Sequence, residues 1–209
     1  DEGRLSYANE ATNRFENPLL NKIETNVDNT ITNMFKELST NKNILFVLSA
    51  NLSIEEMQNV KNLASKLNAN TSGYSPNTYD ENFADDYLKK ADRTANRAAF
   101  KELEINETKE HFEEKLNAAT LVIIVENNFF DNNEKLLENK KVISLFSHLN
   151  ETIKYSNIAI PVASFYEKSG TYINTNGIKQ KIISKMNKNN PMQTITTIIE
   201  HLKSMIEKG

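Results

Sequence analysis

The sequence predicts an α/β protein built on a parallel sheet flanked by helices. Three observations predict it. Continuous apolar runs recur at NILFVLSA (43–50), TLVIIVEN (120–127), KVISLFS (141–147) and IAIPVAS (158–164). Runs of this kind suit strands buried on both faces, as in a parallel sheet between helix layers. Segments with helical apolar spacing separate the runs, and that alternation marks βαβ units with right-handed crossovers. At 209 residues the chain is long enough for one sizeable core. We expect residues 25–209 to form a single α/β domain, preceded by an irregular arm over 1–24.

The elements follow in order. DEGRLSYANEATNRFENPLL has no clean period and ends near Pro18, hence the arm. From Thr25, apolar residues fall at Val27, Ile31, Met34, Phe35 and Leu38, a helical spacing. The first strand, 43–50, leads to Ser53 with Glu56 three residues on, a capping box that opens a helix. Met57, Val60, Leu63, Ala64 and Leu67 give that helix its stripe. NTSGYSPNTY (70–79) is dense in turn formers and reads as a loop. DDYLKKADRTANRAAFKEL (85–103) mixes short helical pieces, and Glu107 to Ala118 is amphipathic. After the strand at 120–127 come a short helix over Asn132 to Glu138 and the strand at 141–147. Pro161 lacks a ladder donor, so 158–164 is an edge strand or a strand's end. Met192 to Lys208 closes the chain as a helix with Ile195, Ile198, Ile199, Leu202 and Ile206 on one face.

Composition narrows function by exclusion. A net charge of −3 provides no basic field for nucleic acid. No apolar run reaches the roughly 18 to 20 residues that a membrane span needs. With no cysteine, these residues offer no disulfide, thiolate nucleophile or cysteine-ligated metal. His111, His148 and His201 lie far apart and read as surface or half-buried side chains.

A dinucleotide site needs glycine in the turn after the first strand, so that backbone can approach a pyrophosphate. Here the turn is SANLSIEE, without glycine, and Glu55 and Glu56 bring negative charge to the helix N-terminus. No P-loop motif occurs. The pairs Asp85–Asp86, Glu113–Glu114 and Glu55–Glu56 read as solvated charge, because adjacent residues do not face each other. Ser49 ends the first strand, where α/β sheets keep ligands, but has no nucleophile elbow around it. In ADRTANR, Asp92, Arg93, Asn96 and Arg97 read as a capped turn, with an arginine pair for an anion as the alternative. EKSGTYINTNGIKQ (167–180) holds two of the chain's five glycines, and Gly170 and Gly177 are expected to need positive φ.

Three stretches carry a family resemblance. DEGRLSYANEATNRFENPLL looks like the segment after the last cluster-binding cysteine of molybdopterin oxidoreductases. DDYLKKADRTANRAAFKEL and IAIPVASFYEKSGTYINTNGIKQ are similar to two further family segments. The last follows a pattern close to ADVVLPAASFAEKDGTFTNTEGRVQ. The chain therefore resembles the molybdopterin-oxidoreductase superfamily, most closely the family of the large iron–sulfur subunit of bacterial NADH-quinone oxidoreductase, respiratory complex I. It departs where Glu2 stands for the lysine of true molybdenum enzymes, and where Asn176 and Ile178 replace a Glu and an Arg.

The resemblance implies a reduced, cofactor-free molybdopterin-type domain without the C-terminal barrel. It implies iron–sulfur clusters in an upstream part, with Gly3 and Arg4 near one of them. It implies a scaffold role in electron transfer, with other respiratory subunits as partners, at the inner face of the bacterial inner membrane. No catalytic or metal residue is expected. Glu167, Gly170, Thr171, Asn174, Gly177 and Gln180 are read as structural remnants of a cofactor motif. An active formate-dehydrogenase-type subunit and an independent small-molecule-binding α/β module are the alternatives.

Overall fold

The computed structural model describes residues 13–76, 78–87, 89–129, 134–184 and 192–208. Its centre is a seven-stranded, mostly parallel sheet. The strands are β1 (Leu19–Leu20), β2 (Ile23–Glu24), β3 (Ile44–Leu48), β4 (Asn70–Ser72), β5 (Leu121–Val125), β6 (Lys141–Phe146) and β7 (Ile158–Pro161). The four predicted apolar runs supply β3, β5, β6 and β7. Their spatial order is β2-β1-β7-β6-β5-β3-β4. The run from β7 to β4 is parallel, and β1 and β2 add an antiparallel ribbon beside β7. The helices are α1 (Val27–Thr40), α2 (Ile54–Lys66), α3 (Ala98–Glu102), α4 (Lys109–Ala118), α5 (Glu151–Tyr155) and α6 (Ile195–Lys208).

Strand periodicity sorts the core into two layers. Ile44, Phe46 and Leu48 of β3 join Ile123 and Val125 of β5 on the face covered by α1, α2 and α6. Leu45 and Val47, with Val122 and Ile124, face the opposite layer of Phe112, Leu116 and Ile153 from α4 and α5. Successive side chains point to opposite faces of a strand, so only an uninterrupted apolar run can fill both layers. Helix ends are set by local chemistry. The Asn26 side chain accepts the Asn29 amide at 2.8 Å to open α1, and Thr108 caps α4 in the same way.

Several expectations need correction. Residues 70–72 form β4, which pairs with β3 through backbone alone although its sequence is polar. Among the described residues of 85–103 the one helix is α3, and Asp92 makes an isolated antiparallel bridge to Tyr79; a 3-10 turn over Glu81–Phe83 precedes the region. Leu19–Glu24 is not irregular, because it pairs into the sheet. That ribbon makes β7 an interior strand. Pro161 is tolerated because it is the last residue of β7: it faces Phe146 of β6, beyond the register that β1 reaches. The expected short helix at 132–138 is described only from Glu134, as a 3-10 turn over Glu134–Leu137.

The stretch 167–180 is a separate antiparallel hairpin, β8 (Gly170–Ile173) and β9 (Lys179–Ile182). Its turn is built on Asn174, whose side chain accepts the amides of Asn176 and Ile178 at 3.0 Å each. Gly177 has φ +76°, as its place in the turn demands. Gly170 does not have positive φ, contrary to expectation. Its need is for space, since a Cβ there would lie 2.4 Å from the Ser53 Cβ.

Candidate functional site

The carboxyl ends of β3 and β5 form the topological switch point of the sheet. After β3 the chain leaves to α2 and the edge strand β4, while β5 lies on the other side of β3 and leads to β6. Open α/β sheets bind ligands in the crevice at such a point.

The β3 half of this crevice is filled by the protein's own side chains. Ser53 caps α2 by accepting the Glu56 amide at 3.2 Å, and Glu56 accepts the Ser53 amide at 2.9 Å. Glu56 is buried, which corrects the reading of Glu55–Glu56 as a solvated pair. Both Glu56 oxygens also accept from the Lys168 ammonium at 2.8 Å, and Lys168 is itself buried. Glu55 stays exposed at the surface and accepts the Thr171 amide at 2.8 Å and its hydroxyl at 2.6 Å. Partial burial works to raise the Glu55 pKa, but these Thr171 bonds outweigh it and hold the carboxyl below its ordinary value. The hairpin is thus seated on the α2 N-terminus, where a phosphate would otherwise find free amides and a favourable dipole.

The β5 half is open. A cavity of about 390 Å³ lies there, bounded by Glu126, Ser147, His148, Lys168, Phe165 and Tyr166. Glu126 directly follows β5 and has φ +51°, a conformation few non-glycine residues adopt. Its carboxylate accepts the Ser147 amide at 2.5 Å. Burial raises its pKa, against lowering by the Ser147 hydrogen bond and by the positive charge of Lys168. The Ser147 Oγ lies 2.8 Å from His148 Nδ1. Burial and the nearby Arg14 lower the His148 pKa, with Glu167 opposing, so the ring is neutral at pH 7. Behind it Arg14 donates to the Ser147 carbonyl at 2.9 Å, to the Val162 carbonyl at 3.1 Å and to Glu167.

The remaining residues singled out in the sequence have structural partners. Asn96 is buried and joins two segments, donating to the Leu52 carbonyl at 2.7 Å and accepting the Ile173 amide at 2.7 Å. Asp92 accepts the Thr94 amide and pairs with Arg97, which also reaches Glu107 and the Thr78 hydroxyl. Arg93 lies over the Phe83 ring. Buried Ser49 accepts the Asn51 amide at 3.1 Å. Asp85 accepts the amides of Tyr87 and Lys89, Glu113 pairs with Lys109, and Glu114 pairs with Lys115. His111 Nε2 lies 3.0 Å from the Thr71 carbonyl, and His201 and Gln180 are exposed. Glu167 accepts the Ser164 amide at 2.7 Å. Gly3 and Arg4 lie outside the described residues. The sequence reading gave no role to Glu126, and met Lys168 and Arg14 only as positions within the resembling stretches. Glu126 carried a signal of its own, as a carboxylate directly after a buried strand at the ligand end of the sheet.

The family comparison falls on the segment that holds β6, α5, β7 and the hairpin. Residues 130–194 match the molybdopterin oxidoreductase family. No curated protein matches the chain. In overall fold the chain is similar to one from the crystal structure of the formyltransferase/hydrolase complex (FhcABCD) from Methylorubrum extorquens, in complex with methylofuran. The two share 9% identity with a TM-score of 0.51, over 92% of this chain and 99% of that one.

A molybdopterin oxidoreductase domain implies a nucleotide-bearing pterin cofactor, and the α2 edge does not fit one. Its turn has no glycine, Ser53 takes the Glu56 amide, and the carboxylates of Glu55 and Glu56 stand at the helix N-terminus, where a phosphate would need donors. Among the described residues no cluster of His, Cys, Asp or Glu is able to hold a metal ion, and no helix is long and apolar enough to cross a membrane.

Proposed function

We propose that this chain is a molybdopterin-oxidoreductase-type domain turned into a scaffold, its cofactor edge closed by its own hairpin. One observation carries the reading: the Lys168–Glu56 pair and the Thr171–Glu55 bonds occupy the helix N-terminus that a dinucleotide-type cofactor would use. Glu167, Gly170, Thr171, Asn174, Gly177 and Gln180 then work as the frame of that closure.

The assembly we propose is NADH-quinone oxidoreductase, with this domain part of its large iron–sulfur subunit. The domain supports electron transfer in the peripheral arm, at the inner face of the bacterial inner membrane, and performs no chemistry itself. The family match and the three resembling stretches support this choice. The fold neighbour comes from a multi-protein complex, in keeping with protein partners here. The clusters belong to the upstream part of the full polypeptide, and this domain binds neither pterin nor metal.

The test is purification of the tagged protein from its own cells at native expression. Recovery together with an NADH:quinone reductase activity is expected, with no molybdenum or pterin in the domain by elemental analysis and fluorescence. Stoichiometric molybdenum, or recovery with a formate-oxidising activity, would refute the scaffold.

A further inference from the structure

The closure leaves one part of the switch point unfilled, and its charges do not balance. Lys168 commits its hydrogen bonds to Glu56, and Arg14 is paired with Glu167. Glu126, by contrast, is hydrogen-bonded by Ser147 and has no ion pair among the described residues. His148 brings no positive charge at pH 7. The attraction of Lys168 on Glu126 is opposed by the repulsion of Glu56 beside it. The Glu126 carboxyl, whose pKa burial raises, therefore faces a cavity of about 390 Å³ with no direct ion-pair partner among the described residues, and a bound cation would hold it ionised.

Two further features turn this imbalance into a site. Glu126 is held in the left-handed region, and such strained positions concentrate where a side chain is aimed for function. The rim carries two aromatic rings, Phe165 and Tyr166, which meet edge to face at 5.6 Å and remain 40% and 48% exposed. Ring faces attract cations and cover alkyl surface.

We propose that this crevice binds a small organic cation, with Glu126 as its counter-ion and Phe165 and Tyr166 as its wall. An alkylammonium or amidinium head would complete the charge balance and donate to the carboxylate. An anion is disfavoured, since Glu126 and Glu56 repel it and the Lys168 ammonium is already engaged. A bare metal ion is disfavoured by the single carboxylate. The volume matches the lower range of small-molecule sites. This site adjoins the closed α2 edge, with Lys168 common to both, and does not depend on the scaffold reading.

The test titrates the whole chain with benzylamine, benzyl alcohol and benzoate, read by calorimetry and amide chemical shifts. Saturable millimolar or tighter binding of benzylamine alone is expected, with shifts at Glu126, Ser147 and Tyr166. Glu126→Gln keeps an acceptor for the Ser147 amide and should weaken binding by about tenfold or more. Phe165→Ala, at a position 40% exposed, should weaken binding severalfold, and with its fold checked by circular dichroism it decides the matter if the Gln variant fails to fold. The proposal is overturned if benzoate binds as well as benzylamine, if no amine binds at millimolar concentration, or if the folded variants bind like the parent chain.

Discussion

Lys168 and Glu56, 112 positions apart, form a buried ion pair with both carboxylate oxygens 2.8 Å from the ammonium. The pair fastens the hairpin to the start of α2. Removing one member strands the other in a poorly solvated place, and such losses cost about 3–5 kcal/mol. Lys168→Ala should therefore lower unfolding free energy by that order in urea titration. Lys168→Met with Glu56→Gln should cost clearly less, because no charge is left unpaired. Equal losses for the single and double variants would show that the pair itself is not what holds the hairpin.

Gly170 and Ser53 present a second test of the same junction. A Cβ at Gly170 would meet the Ser53 Cβ at 2.4 Å, so Gly170→Ala should destabilise by about 1–3 kcal/mol through overpacking. Ser53→Gly removes the opposing atom and costs only a few tenths of a kcal/mol as an N-cap change. The double variant should recover most of the alanine's cost in thermal melts. A strictly additive cycle would mean that the collision is relieved elsewhere. Gly177→Ala, at φ +76° in open space, should cost about 1 kcal/mol from backbone strain alone.

Glu126 sets a pH dependence. Burial raises its folded-state pKa above the ordinary 4.5. A carboxyl with a raised folded pKa favours the folded state in its protonated form. That stability is fully present below the unfolded value and is lost as pH rises through the folded one. Unfolding midpoints should thus fall from about pH 4.5 upward in the part of the curve due to Glu126. Glu126→Gln should flatten that part and raise the midpoint at neutral pH. An unchanged pH profile in the variant would place the desolvation cost elsewhere.

The parts legible in the sequence are those with local causes. The runs at β3, β5, β6 and β7 announce buried strands because both neighbouring layers demand apolar contacts. The Ser53–Glu56 capping box is visible because its partners are three residues apart. The second role of Glu56 is not, since Lys168 arrives from the far end of the chain. β4 escapes because NTS is held by backbone pairing to β3, which leaves no trace in side-chain chemistry. The conformation of Glu126 escapes for a related reason: its φ follows from where β5 must turn, and glutamate has no preference for it. Gly170 shows the converse, a correctly noticed glycine whose reason is crowding by a residue distant in sequence.

The short strands at the two borders of the main sheet have a consequence for solubility. LVIIV and ILFVL would pair readily with copies of themselves as free peptides. In the fold both are interior, while the outermost strands, β2 and β4, are two and three residues long and largely polar. At either border of the main sheet a second molecule finds almost no continuous backbone to zip onto. The most aggregation-prone sequences of the chain are thus insulated by its least strand-like ones, and disruption of either border should show first as self-association.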